Sequence, residues 1–182
     1  MELFEHTPNG RLLVYDPITQ KTTTLLSGLY FANGVALSSD ESFVLVNETL
    51  MYRIQKYWLK GDKAGTSEIF IENLPGFPDN VSSNEEGIFW VALFNPRNNF
   101  VEISSNKPFL RKIVFRLPEL LQPKPINHSF VLGLNEDGKV VHNLQYQANE
   151  AYSPITSVKQ YNDILYFGSL THAGWGKIEV PK

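Results

Sequence analysis

Five residues, Phe31-Ala-Asn33-Gly-Val35, return 46 positions later as Phe77-Pro-Asp79-Asn80-Val81. Each copy leads into a polar turn, Ser39-Asp40-Glu41 in the first and Glu85-Glu86-Gly87 in the second. An apolar strand follows at the same spacing, Phe43-Val-Leu-Val46 and then Phe89-Trp-Val-Ala92. A weaker third copy runs from Pro154 to Leu170, with Thr156 opposite Asn80 and Ile164-Leu-Tyr-Phe167 opposite Ile88-Phe-Trp-Val91. Repeats of about 40–45 residues, each with about four short strands, are the signature of a β-propeller. In that architecture the first strand of each unit lines a central channel. The repeated Asn and Asp positions are therefore expected to converge on one axis.

The segments between these landmarks support an all-β class. "GRLLVYDP", "TTTLLSGL", "SFVLVNET", "YRIQKYWL" and "SEIFIENL" are short runs rich in Val, Ile, Phe, Tyr, Trp and Thr. Such residues fit a pleated, half-buried surface, and turn signals separate the runs. Two strands are expected before Phe31, four from Asn33 to Leu74, four from Asp79 to Tyr146 and three from Pro154 to Val180. That is roughly three blades: residues 1–30 as the end of one, 31–74 and 75–147 as two more, and 148–182 as a last, incomplete one. Residues 107–121 break the pattern. Leu110, Ile113, Val114, Leu117, Leu120 and Leu121 recur at helical spacing, so a helical insertion is expected there, interrupted at Pro118. Arg111, Lys112 and Arg116 lie off the stripe, on a solvated face or a face toward anionic lipid. An open arc of blades leaves strand edges exposed, which favours self-association.

Composition narrows the function classes. A net charge of −3 with no long basic run gives no footprint for nucleic acid. Without cysteine there is neither a disulfide nor a zinc–thiolate site. No apolar run reaches the ~18 residues of a membrane span, and "MELFEHTPNG" has no signal-peptide pattern, so this stretch assigns no compartment.

Asn33, Asp79 and Asn80 invite two readings. Asn-Gly and Asp-Asn are ordinary turn chemistry. They are also oxygen donors suited to Ca²⁺, which takes about six to eight oxygens. His6, His128, His142 and His172 are scattered, though His172 could reach the channel mouth. Glu48, ending a strand, reads as an exposed carboxylate or as an acceptor supporting a metal site. Trp58, Trp90 and Trp175 read as packing between blades. Of three formal glycosylation sequons, at Asn47, Asn80 and Asn127, only Asn127 lies outside a predicted strand.

The stretches "GRLLVYDP", "FANGVALSSDESFVLVNET", "RIQKYWLKGDKAGTSEIFIENLPGFPDN" and "ILYFGSL" together resemble the strictosidine synthase-like family, nearest its adipocyte plasma membrane-associated branch. "FANG" and "DN" are also similar to motifs of paraoxonases and related gluconolactonase-type propellers. The resemblance implies a six-bladed, calcium-containing propeller, with this chain matching its C-terminal half. It places Asn33, Asp79 and Asn80 among the calcium ligands. It implies hydrolysis of small esters or lactones by the complete protein, with little activity in this chain alone. Phe31, Phe77, Phe94, Thr156 and His172 are then expected around a substrate pocket at the mouth. A non-catalytic propeller with structural calcium is the alternative. Amine–aldehyde condensation, the reaction of the true synthases, is not expected, because Thr156 stands near the position of their glutamate and the nearest acid is Glu150. Family members often carry an N-terminal anchor or signal, so the resemblance implies a membrane-associated or exported complete protein.

Overall fold

The computed structural model describes residues 7–97 and 127–181. The helical stripe expected over 107–121 lies outside the described residues. Among the described residues thirteen strands form four antiparallel sheets in which sequence neighbours pair. The first sheet holds β1 (Gly10–Asp16) and β2 (Lys21–Leu29). The second holds β3 (Ala32–Leu37), β4 (Phe43–Glu48), β5 (Arg53–Trp58) and β6 (Ser67–Ile71). The third holds β7 (Gly76–Ser83), β8 (Ile88–Pro96), β9 (His128–Asn135) and β10 (Val140–Gln147). The fourth holds β11 (Ser157–Tyr161), β12 (Ile164–Gly168) and β13 (Gly176–Glu179). This succession of antiparallel meanders, two of them four-stranded, is the β-propeller plan expected from the repeat.

The sheets stack face to face, so their inner strands are covered on both sides. Phe43 and Leu45 on β4 face Phe89, Val91 and Leu93 on β8 across one core. Val44 and Val46, on the opposite face of β4, pack against Leu12 and Leu29 of the first sheet. Trp90 and Ala92 likewise turn away from the second sheet, toward Val158, Leu165 and Phe167 of the fourth. That explains why "FVLV" and "FWVAL" are continuous apolar runs: a strand buried on both faces has no polar side to alternate with. The outer strands β6 and β10 are largely exposed and carry the charged and polar residues.

The structure corrects the phase of the repeat. Val35 pairs with Val46, but Val81 pairs with Val91, so the second strand of the repeat recurs after 45 residues, not 46. The turns account for it. Ser38 N–H closes on Phe43 O in the first hairpin, whereas Asn84 N–H closes on Ile88 O, a turn one residue shorter. Phe89 is therefore the counterpart of Val44, not of Phe43. A one-residue slip exchanges the two faces of a strand, and the observed cores place Val44 and Phe89 each toward the preceding sheet.

Two side chains also differ from expectation. Glu48 is fully buried, because the strand end it closes lies beneath the chain returning through Tyr30 and beside Arg53. Trp175 is 65% exposed: it precedes β13, the outermost strand of its sheet, and rests on Tyr166 rather than between sheets.

Candidate metal centre at two strand bulges

β3 and β7, the first strands of their sheets, both begin with an irregularity. Ala32 pairs with Glu48 and Val35 with Val46, so three steps on β3 oppose two on β4. Pro78 pairs with Leu93 and Val81 with Val91, the same mismatch. Each strand thus carries one extra residue, a β-bulge, at Asn33-Gly34 and at Asp79-Asn80. Bulges re-aim side chains that strict alternation would send to opposite faces. The repeated polar pair is the sequence trace of a repeated bulge.

The two bulges touch. A Cβ built on Gly34 would lie 2.5 Å from the Val81 nitrogen, 2.6 Å from the Asn80 Cα and 2.7 Å from the Asp79 carbonyl oxygen. Only glycine permits that approach, which explains the Gly of "FANG". The Asn33 side chain hydrogen-bonds the Asp79 carboxylate, and Asn80 Nδ2 lies 3.3 Å from Asp79 Oδ1. The three residues singled out from the sequence are therefore brought together. Asp79 is half-buried, and burial raises its pKa above the ordinary 3.8; the bond from Asn33 partly offsets this. Among the described residues no Lys or Arg forms an ion pair with it.

The amides are held from their nitrogen ends. Asn33 Nδ2 donates to Thr49 Oγ1 at 3.3 Å, and Asn80 Nδ2 donates to Thr156 O at 2.8 Å. The same amide nitrogens also donate to the Asp79 carboxylate, so the carbonyl oxygens of both amides are the ends left out of these bonds, beside a half-buried carboxylate. Among the described residues no three His, Cys, Asp or Glu side chains cluster as a metal site. The donor set here is one carboxylate and two amides, all oxygen, the kind that hard divalent cations take.

The remaining predicted residues occupy varied positions. Phe31 and Phe77 flank the bulges, and Phe77 packs on Tyr52 at 4.8 Å between ring centres. Phe94 lies half-buried near the end of β8. Thr156 is buried with its hydroxyl directed to Gly168 O, so it meets the site through its main-chain carbonyl. His172 stacks on Tyr152, and its Nε2 accepts the Ser153 N–H. A cleft of about 370 Å³ lies elsewhere, between the third and fourth sheets, lined by residues including Val131, Leu144, Tyr152 and Ile178.

A family model for strictosidine synthase matches residues 1–62. The Arabidopsis thaliana protein strictosidine synthase-like 10 is 41% identical over 169 residues, 88% of this chain and 44% of its own length. The adipocyte plasma membrane-associated protein of Bos taurus is 36% identical over 173 residues, 92% of this chain and 42% of its own. The chain belongs to the strictosidine synthase-like family. This family member spans about half the length of the curated relatives it matches. Among solved structures, a regucalcin of Agrobacterium tumefaciens described as calcium-binding superposes with a TM-score of 0.55 at 16% identity, covering 92% of this chain and 46% of its own. A gluconolactonase of Xanthomonas campestris superposes with a TM-score of 0.55 at 14% identity, covering 86% and 40%. At such identities the likeness carries the fold of the strictosidine synthase-like chain and nothing further.

The sequence reading missed the residues that hold the site. Asn47 Nδ2 donates to Asp79 O at 2.8 Å, and Thr49 Oγ1 donates to Pro78 O at 2.6 Å. The signal was a run of polar residues, Asn47-Glu48-Thr49, ending a wholly apolar strand. As a glycosylation sequon Asn47 was placed in a strand but given no role in the site, yet it is completely buried.

Proposed function

We propose that the complete protein is a calcium-dependent hydrolase of small esters or lactones, and that this chain supplies Asn33, Asp79 and Asn80 to its metal site. The observation carrying this reading is the pair of abutting bulges that gathers two amides around a half-buried carboxylate without a cationic partner. A buried anion is costly unless compensated, and a divalent cation is the compensation this oxygen set fits. Two structural neighbours, one described as a gluconolactonase and one as a calcium-binding regucalcin, support the same reading. Three donors make about half of a calcium shell, so further ligands come from elsewhere in the complete protein.

Held by Asn33, Asp79 and Asn80, Ca²⁺ would supply Lewis-acid polarisation of a substrate carbonyl. Asp79 supplies the charge that retains the ion. Asn33 and Asn80, held at their nitrogen ends, would supply amide oxygens to it. Phe31 and Phe77 offer apolar surface beside the bulges for an aromatic or aliphatic acyl group. No carboxylate stands at Thr156, so amine–aldehyde condensation is not part of the proposal. The test is phenyl acetate hydrolysis by the full-length protein, abolished by a chelator and restored by Ca²⁺. Hydrolysis that persists in chelator overturns the reading.

One observation favours a second reading, structural calcium in a binding module. Asn80 spends its main-chain and side-chain N–H groups on Thr156 O, linking the third and fourth sheets. Asn33→Ala and Asp79→Ala separate the two. Loss of turnover with an unchanged melting temperature supports catalysis; a lower melting temperature with no turnover in the parent supports the structural role.

A further inference from the structure

We propose that Thr49, assisted by Asn47, is a positioning residue of the candidate metal centre. Its single hydroxyl sets the separation of the two bulged strands and the direction in which the Asn33 carbonyl oxygen faces. This inference rests on the calcium reading above.

A threonine hydroxyl has one proton and two lone pairs. Thr49 spends the proton on Pro78 O at 2.6 Å. Whatever else approaches its oxygen must then donate, and the group that does so is Asn33 Nδ2 at 3.3 Å. The amino end of the Asn33 amide is thereby drawn to Thr49, and its carbonyl end faces away. One atom thus ties the second sheet to the third and selects the orientation of a ligand on the second.

The surroundings serve the same end. Thr49 N–H donates to Phe31 O at 3.2 Å, and Phe31 has a φ of 55°, the left-handed region that a bulky residue occupies only when held there. Asn47 Nδ2 donates to Asp79 O. The carbonyls on both sides of the Asp79 Cα are therefore engaged by one tripeptide. Asn47 and Thr49 lie two residues apart at a strand end and reach the same neighbour, while Glu48 between them faces the other way. There Glu48 accepts from Tyr30 N–H at 3.0 Å, from Gln55 Nε2 at 3.0 Å and from Arg53 Nε, anchoring the strap from behind. Asn47 Oδ1 is buried and has no hydrogen-bond partner among the described residues. A leucine of similar size would pack there without that orphaned acceptor. The amide is kept for the bond its nitrogen makes.

The experiment measures Ca²⁺ affinity by calorimetry on the full-length protein after chelator treatment, alongside the melting temperature of the ion-free form. Thr49→Val should weaken Ca²⁺ binding by about tenfold or more, the scale of leaving a buried carbonyl unpaired. Thr49→Ser, which keeps the hydroxyl, should stay within about threefold of the parent. Ile54→Val, a fully buried substitution in the adjacent core, should lower the melting temperature and leave affinity unchanged. Should Thr49→Val not fold, Thr49→Ala takes its place in the same comparison. Parental affinity in Thr49→Val overturns the positioning role and leaves the calcium reading standing. So does an equal loss of affinity in Ile54→Val. If Asn33→Ala binds Ca²⁺ as tightly as the parent, the calcium reading falls and this inference falls with it.

Discussion

Two charges are buried in the second sheet, and they are held in opposite ways. Glu48, at the bulge end, is fully buried among three donors: the Tyr30 N–H, Gln55 and Arg53. Lys56, two strand residues beyond Ile54, is 7% exposed and sits among rings, its Nζ 4.1 Å from the centre of Phe43, 4.7 Å from Phe70 and 4.9 Å from Trp58. It has one directed bond, to Glu136 O at 3.1 Å. Donors that point along lone pairs fix a carboxylate in angle as well as distance. A ring face attracts a cation over a broad area. The first arrangement suits the end of the sheet where the two bulged strands meet. The second suits the end where two sheets need only be glued together.

Substitutions can break or sharpen that contrast. Glu48→Ala should show the largest effect, a loss of about 3 kcal/mol in urea unfolding, because Arg53 and the Tyr30 N–H are left without their acceptor. A loss below about 1 kcal/mol would mean the directed end is no more demanding than the aromatic end. Gly34→Ala should cost about 1–3 kcal/mol, since its Cβ would meet the main chain of Asp79, Asn80 and Val81 and not a movable side chain. The same variant should abolish the rise in melting temperature on adding Ca²⁺.

Asp79→Asn should act in the other direction. Burial raises the folded-state pKa of Asp79 above its ordinary 3.8. The folded state then holds the proton more tightly than the unfolded one, so stability falls as pH rises from about that value through the raised pKa. Above that window the full penalty applies. Removing the charge should therefore raise the ion-free melting temperature at neutral pH, while eliminating the response to Ca²⁺. A lower ion-free melting temperature would show that the carboxylate is already compensated. Lys56→Met should do least, within about 1 kcal/mol of the parent, because a flexible thioether satisfies the same rings. Burial lowers the Lys56 pKa, so the parent should gain stability as pH rises through that lowered value toward 10.5. Lys56→Met should lose this alkaline gain, measurable in parallel melts across pH.

The architecture was legible because Phe31–Val35 and Phe77–Val81 both place short polar side chains at a bulge, with Gly34 in the first copy allowing the close approach. The phase of the following strands was not, because Val44 and Phe43 are both apolar and both buried, and only the length of the turn distinguishes their faces. The exposed reading of Glu48 failed for a similar reason. Nothing in a linear sequence says that a strand end is roofed by a segment 18 residues earlier. Asn33 and Asp79 declared themselves by recurring, whereas Asn47 and Thr49 occur once and act through main-chain carbonyls, which leave no mark on residue identity.

Along β7 and the residue after it, Asn80, Ser82 and Asn84 reach across to β11 and the residue before it, bonding Thr156, Val158 and Gln160 at a constant separation of 76 residues. Such a seam works like the teeth of a zip. A residue inserted at the Glu85-Glu86 tip changes only a solvent loop, but the same insertion after Val81 would mis-seat two of the three teeth and turn Asn84 toward the wrong side. Tolerance to insertion along these few residues should therefore fall abruptly at the last tooth, a boundary that a scan of one-residue insertions read by soluble yield would locate.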